Sequence, residues 1–139
     1  SVEKVCLNEI LYRYLDDYQD VCDYKGITLD VHEKNTFNIT MNGTLAVVLI
    51  TNLLKNAFVH NIYKGKIQIE ITSSNIRFGN TGKDEHLDEK HIFERFYQGS
   101  KKEGSTGLGL AIVDAICRQS QLSIQYQFVK GWHWFDISC

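Results

Sequence analysis

At 139 residues and 16.0 kDa, the chain is long enough for one domain that buries roughly two-thirds of its unfolded surface without disulfides or metals. A formal net charge of −2 with 23% charged residues offers no basic field for nucleic acid and no acidic tail, and no apolar run approaches the ~20 residues of a membrane-spanning helix. The four cysteines, Cys6, Cys22, Cys117 and Cys139, have no CxxC spacing and no histidine at metal-ligand spacing, so they read as small buried hydrophobes in a reducing compartment. The start SVEKVCLNE lacks Met and reads as a piece cut from a longer protein.

From Leu7 the apolar residues Leu7, Ile10, Leu11, Tyr14, Leu15, Tyr18, Val21 and Cys22 recur in steps of three and four, with aspartates mostly between them. That period predicts a one-faced helix, which Lys25-Gly26 ends. ITLDVH (27–32) alternates as a half-buried strand and FNITM (37–41) as a second. The chain turns helical again from Thr44 to Asn61. KIQIEIT (66–72) and NIRFGN (75–80) predict a hairpin turned by Ser73-Ser74. From Thr81 to Ser105 runs the longest irregular stretch, interrupted by the apolar patch HIFERFY (91–97). A loop of that length inside a compact domain usually carries function. LGLAIVDAICRQS (108–120) predicts a further helix, and LSIQYQFV (122–129) with WHWFDIS (132–138) a closing hairpin. The order implies an α/β two-layer sandwich: a mixed, mostly antiparallel sheet covered on one face by three helices.

Two stretches carry chemistry. In NLLKNAFVHN (52–61), Asn52, Asn56 and His60 lie at i, i+4 and i+8 on one helical stripe. Amide oxygens are hard ligands suited to Mg²⁺, which takes few protein ligands alongside waters and phosphates; the stripe also reads as an exposed polar face. GSTGLGLAIV (104–113) closes three glycines into an apolar run. Its GxxGxG spacing is neither the GxxxxGK[ST] of a P-loop nor the dinucleotide GxGxxG. Glycine admits close backbone approach, and a helix start offers N–H groups and the positive dipole end to an anion. Thr106 reads as its N-cap.

In this order NLLKNAFVHN, FGNTGK, IFERFYQGS and EGSTGLGLAIV resemble the N, G1, F and G2 boxes of the GHKL nucleotide-binding superfamily, specifically the catalytic and ATP-binding domain of bacterial sensor histidine kinases. The resemblance covers nearly the whole chain, taken as a single domain 1–139 with a lid at about 81–105. It implies a Bergerat fold, ATP and Mg²⁺ as cofactors, and phosphoryl transfer to a histidine on a separate dimerisation domain, with a response regulator downstream. It assigns Asn56 to Mg²⁺, Asn52 to a second ligand or water anchor, His60 to phosphate, and Asn80 with Gly82 to the base. Phe93 and Phe96 would anchor the lid, and Gly104 would hinge it. Gly107, Leu108, Gly109 and Leu110 would supply the amide cradle. Arg95 reads equally as a phosphate contact or a partner of a nearby carboxylate, and Lys101 and Lys102 as γ-phosphate contacts or a solvated pair.

Three departures shape the expectation. The family's DxGxG reads Asn80-Thr81-Gly82-Lys83-Asp84 here. Asn80 keeps an acceptor oxygen for the adenine amino group, but a neutral amide bonds more weakly than a carboxylate, implying modest affinity. The closing strand reads Gly131-Trp132-His133-Trp134-Phe135 where relatives carry a Gly-Thr-rich start that supports the adenine pocket. Asn52 stands where the superfamily's ATPases and serine kinases place a glutamate base. An amide cannot take a proton from water or a hydroxyl at neutral pH, whereas a histidine acceptor brings its own nucleophilic nitrogen and needs mainly positioning and charge neutralisation.

None of His32, His60, His86, His91 and His133 stands in the H-E-[LI]-[KR]-x-P setting of an acceptor histidine. The acceptor is therefore expected elsewhere in a parent anchored in the inner membrane, with this domain in the cytoplasm, monomeric and without direct membrane contact. Two other readings stand beside this one: a nucleotide-deficient docking module, motivated by Asn80 and Trp134, and a GHKL ATPase.

Overall fold

The computed structural model describes residues 1–82, 91–94 and 108–139. The expectations for Arg95, Phe96, Lys101, Lys102, Gly104, Thr106 and Gly107 concern residues outside these. Seven strands and four α-helices follow in chain order among the described residues. They are β1 (Glu3–Cys6), α1 (Leu7–Leu15), α2 (Gln19–Lys25), β2 (Thr28–Glu33), β3 (Asn38–Met41), α3 (Gly43–Val59), β4 (Lys66–Ile71), β5 (Asn75–Thr81), α4 (Gly109–Gln119), β6 (Ser123–Val129) and β7 (Trp132–Ser138). Five strands form one sheet in the order β2-β4-β5-β7-β6. Only the β2–β4 pair is parallel; the other three pairs are antiparallel, which agrees with the mixed sheet expected from hairpin spacing.

The alternation of β4, β5 and β7 decides which face the helices cover. Ile67, Ile69, Ile71, Ile76, Phe78, Phe135 and Ile137 point inward and are buried with Leu49, Leu53 and Ala57 of α3 and Val113 and Ile116 of α4. The intervening residues of β4, β5 and β7 form the outer face. The β6–β7 turn places Lys130 at φ 48° and Gly131 at φ 84°, the two positive angles of a type I′ hairpin turn. Gly26 at φ 66° closes α2 in the left-handed conformation, as the Lys25-Gly26 pair implies.

Three expectations need correction. The first helix is interrupted: a 3₁₀ turn at Asp16–Tyr18 separates α1 from α2. Tyr18 stacks on Phe58 with ring centroids 4.9 Å apart, and its hydroxyl donates to the carbonyl of Thr51 at 3.4 Å, so docking onto α3 accompanies the tighter turn. A strand at Glu3–Cys6, which has no alternation of its own, exists by antiparallel pairing with β3, Glu3 opposite Met41. Among the cysteines only Cys117 is buried; Cys6 and Cys22 are half-buried and Cys139 is exposed. Burial, followed by the neighbouring Asp114 charge, pushes the Cys117 thiol up to about 12.

Candidate nucleotide site

Helix α3 begins at Asn42, whose side chain accepts from the Leu45 N–H at 3.0 Å. It buries Leu49, Leu53, Leu54 and Ala57 and leaves Asn52 and Asn56 half-buried along a neighbouring stripe; it ends at Val59, short of the expected Asn61, so His60, also half-buried, is its C-cap at φ −90°. Asn52 donates through Nδ2 to the carbonyl of Val48 at 2.8 Å. Its Oδ1 is turned toward α4, where a Cβ built on Gly109 would stand 3.1 Å from it. Glycine is what lets the start of α4 settle against the Asn52 carboxamide. The carboxamide of Asn56 makes no hydrogen bond among the described residues.

Helix α4 opens with Leu108 in the N-cap position, whose own side chain makes no capping hydrogen bond. The first-turn N–H groups from Gly109 onward therefore lack an intrahelical partner, and the positive helix end is presented beside Asn52. The far end of α3 is held by Lys25, whose Nζ donates to the carbonyls of Phe58 at 3.2 Å, Val59 at 3.1 Å and Asn61 at 3.2 Å. Burial lowers the pKa of this ammonium, whose positive charge offsets the negative end of the helix dipole carried by those carbonyls.

Asn61, 1% exposed, ties the strands to this helix end. Its Nδ2 donates to the carbonyl of Lys66 at 3.0 Å, and its Oδ1 accepts from the Ile62 N–H and the Thr81 hydroxyl, each at 2.8 Å. The Thr81 hydroxyl oxygen in turn accepts from the Lys66 N–H at 2.8 Å. A side chain at Gly65 would collide with Asn61 Oδ1 and Thr81 Oγ1. Sequence reasoning missed Lys25 and Asn61, because their partners are set by the fold and no local motif marks them.

This lattice positions Asn80. The residue is 3% exposed and points to the inner face. Its Nδ2 donates to the carbonyl of Thr81 at 2.9 Å, and its Oδ1 is buried with no hydrogen-bond partner among the described residues. An orphaned buried acceptor costs about 1–3 kcal/mol. Gly82 follows between the carbonyl of His60 and the ring of His133, 3.4 Å and 3.1 Å from a Cβ built there. His133 is buried, and its Nδ1 lies 2.7 Å from the Tyr126 hydroxyl. Asn80, Gly82, the His60 backbone and His133 thus meet at one end of the sheet, while Asn52 and Gly109 meet at the α3–α4 junction.

Phe93 packs edge-on against Phe135, with centroids 6.3 Å apart, and the adjacent Ile92 is 1% exposed. Phe93 thus does an ordinary packing job on the sheet. Among the described residues no three His, Cys, Asp or Glu side chains cluster as a metal site. The donors that suit a hard cation are the carboxamide oxygens of Asn52 and Asn56.

Residues 41–133 match the model of the histidine kinase-, DNA gyrase B- and HSP90-like ATPase family. The chain belongs to this family. Within it, the chain is 30% identical over 129 residues to the heme sensor protein HssS of Staphylococcus aureus, covering 89% of this chain and 28% of that protein. It is 26% identical over 141 residues to the sensor histidine protein kinase HK06 of Streptococcus pneumoniae, covering 97% of this chain and 31% of that one. The chain therefore spans less than a third of these curated relatives. Among solved structures, the catalytic domain of histidine kinase ThkA superposes with a TM-score of 0.83 at 20% identity, covering 99% of this chain and 93% of that one. ThkA in complex with the response regulator protein TrrA gives 0.77 at 20%, covering 98% and 40%. The shared architecture is that of histidine kinase catalytic domains, and no described helix of this family member is long and apolar enough to cross a membrane.

Proposed function

We propose that the chain is the nucleotide-binding catalytic domain of a sensor histidine kinase, donating the γ-phosphoryl group of Mg²⁺-ATP to a histidine on a separate dimerisation domain. The observation that carries this reading is Asn80, whose buried Oδ1 has no partner and matches the exocyclic amino group of adenine. The residues fit the cofactor: Asn56 and Asn52 offer neutral oxygen donors near the N-terminus of α4, where phosphates would sit. Mg²⁺ held there would neutralise phosphate charge. In this reading His60 would approach the same phosphates. Asn52 supplies no carboxylate to activate water, which favours an acceptor with its own nucleophile. The downstream partner is then a response regulator, and the parent places this domain on the cytoplasmic side of a membrane.

Calorimetry with ATP and ADP, with and without Mg²⁺, tests the reading. Mg²⁺-dependent binding is expected, reduced by about 100-fold in Asn56→Ala through loss of a metal donor. No binding at millimolar nucleotide would sink it and favour the docking module. Steady phosphate release by the chain alone would favour the ATPase.

A further inference from the structure

Directly across the β5–β7 pair from Asn80 stands His133, and the two share the inner face because paired residues of antiparallel strands point the same way. His133 is 6% exposed. Its Nδ1 is 2.7 Å from the Tyr126 hydroxyl, and the Phe128 ring centroid is 4.8 Å from its own. On its other side a Cβ built on Gly82 would stand 3.1 Å from Cδ2 and 3.3 Å from Nε2. The imidazole thus fills the room that a side chain at position 82 would need and abuts the backbone just beyond Asn80. A polar ring buried and oriented by a phenol is a costly filler where leucine would pack as well. Its neighbour in the same face is the acceptor left without a partner.

We propose that His133, oriented by Tyr126, is a positioning residue for base selectivity: it holds the Asn80–Gly82 segment so that Asn80 keeps Oδ1, not Nδ2, turned toward the base. The inference rests on the nucleotide reading above and deepens it. An amide can present either end; here Nδ2 is engaged by the Thr81 carbonyl at 2.9 Å. That carbonyl lies between two restraints, the Thr81 hydroxyl bonded to Asn61 at 2.8 Å and Gly82 packed on His133. Loss of the ring frees the Gly82 side, and the amide gains the option of turning. Oδ1 complements the amino group of adenine and Nδ2 the carbonyl oxygen of hypoxanthine, so the orientation is readable as preference for ATP over ITP.

The test is calorimetric affinity for Mg-ATP and Mg-ITP on the 139-residue chain and its variants. The ratio in favour of ATP is expected at about tenfold in the parent and about twofold or less in His133→Leu, with Tyr126→Phe between. Trp134→Leu, on the outer face, should keep the parent ratio. A parent ratio retained in His133→Leu overturns the proposal. Should that variant fail to fold, Tyr126→Phe decides: it removes one hydroxyl from a ring that stays, and an unchanged ratio again overturns it. A parent that binds ATP and ITP equally removes base selectivity but leaves the nucleotide reading standing, whereas a parent that binds neither removes both.

Discussion

The two faces of the β5–β7 strand pair carry polar and aromatic clusters of opposite character. On the outer face the Arg77 guanidinium lies 4.3 Å from the centre of the Trp134 ring, and Trp132 stacks on that ring at 5.6 Å. Arg77 pairs with Glu70 at 3.5 Å and Asp136 at 3.6 Å, and Asn75 donates to Asp136 at 2.6 Å. Arg77 Nε is buried without a hydrogen bond, yet the Asp136 carboxylate compensates its charge. On the inner face Asn80 Oδ1 has no hydrogen bond among the described residues. The outer cluster closes on itself and is explained by stability. The inner one leaves a buried acceptor open, the one that the proposed nucleotide would meet.

Changes on the two faces should therefore separate stability from binding. The largest stability effect is expected for Gly79→Ala, because a Cβ there would drive into the Trp134 ring. Displacing the indole should cost about 2–3 kcal/mol in urea unfolding while ATP affinity stays within about twofold. A parallel collapse of affinity would show that the faces are coupled. Arg77→Met keeps an unbranched stem over Trp134 but removes the charge, and should cost about 1 kcal/mol, less at high salt. Asn80→Ala should reverse the pattern: stability within about 1 kcal/mol of the parent, since an orphaned acceptor leaves with the Thr81 bond, and ATP affinity lower by about fivefold.

The smallest effect concerns the inner layer itself. Folded Cys117 stays a thiol up to about 12, whereas the unfolded thiol ionises near its ordinary 9.0. Between those values the unfolded chain holds fewer protons, so stability falls as pH rises; below the lower value none of it has been lost. Urea midpoints followed from roughly pH 8 to roughly pH 10.5 should drop less steeply in Cys117→Ala than in the parent.

Much of this was legible locally. The i, i+4 pair of Asn52 and Asn56 needs only a helix to put it on one side, and α3 supplies that helix, ending just before His60. Hairpins were readable at Ser73-Ser74 and Lys130-Gly131 because turn chemistry is a property of a few neighbouring residues. The strand β1 was not readable, since its partner β3 lies more than thirty residues away and pairing alone defines it. Nor was the break at Asp16–Tyr18, where the helical period continues through a turn that accompanies the Tyr18–Phe58 stack.

By itself the amino-acid sequence determined the helices, the hairpins and the ordered boxes that mark the family, because periodicity and motif spacing act over a few residues. It also revealed that Asn80 is a neutral acceptor in place of a carboxylate. Only the tertiary structure decided which end of that amide faces inward, through the Thr81 carbonyl, and that the facing oxygen has no partner. It alone set Gly109 against Asn52, and His133 beneath Gly82. These are contacts between segments brought together by burial of a common core, and burial turns a missing hydrogen bond from a trivial matter in water into a free-energy cost.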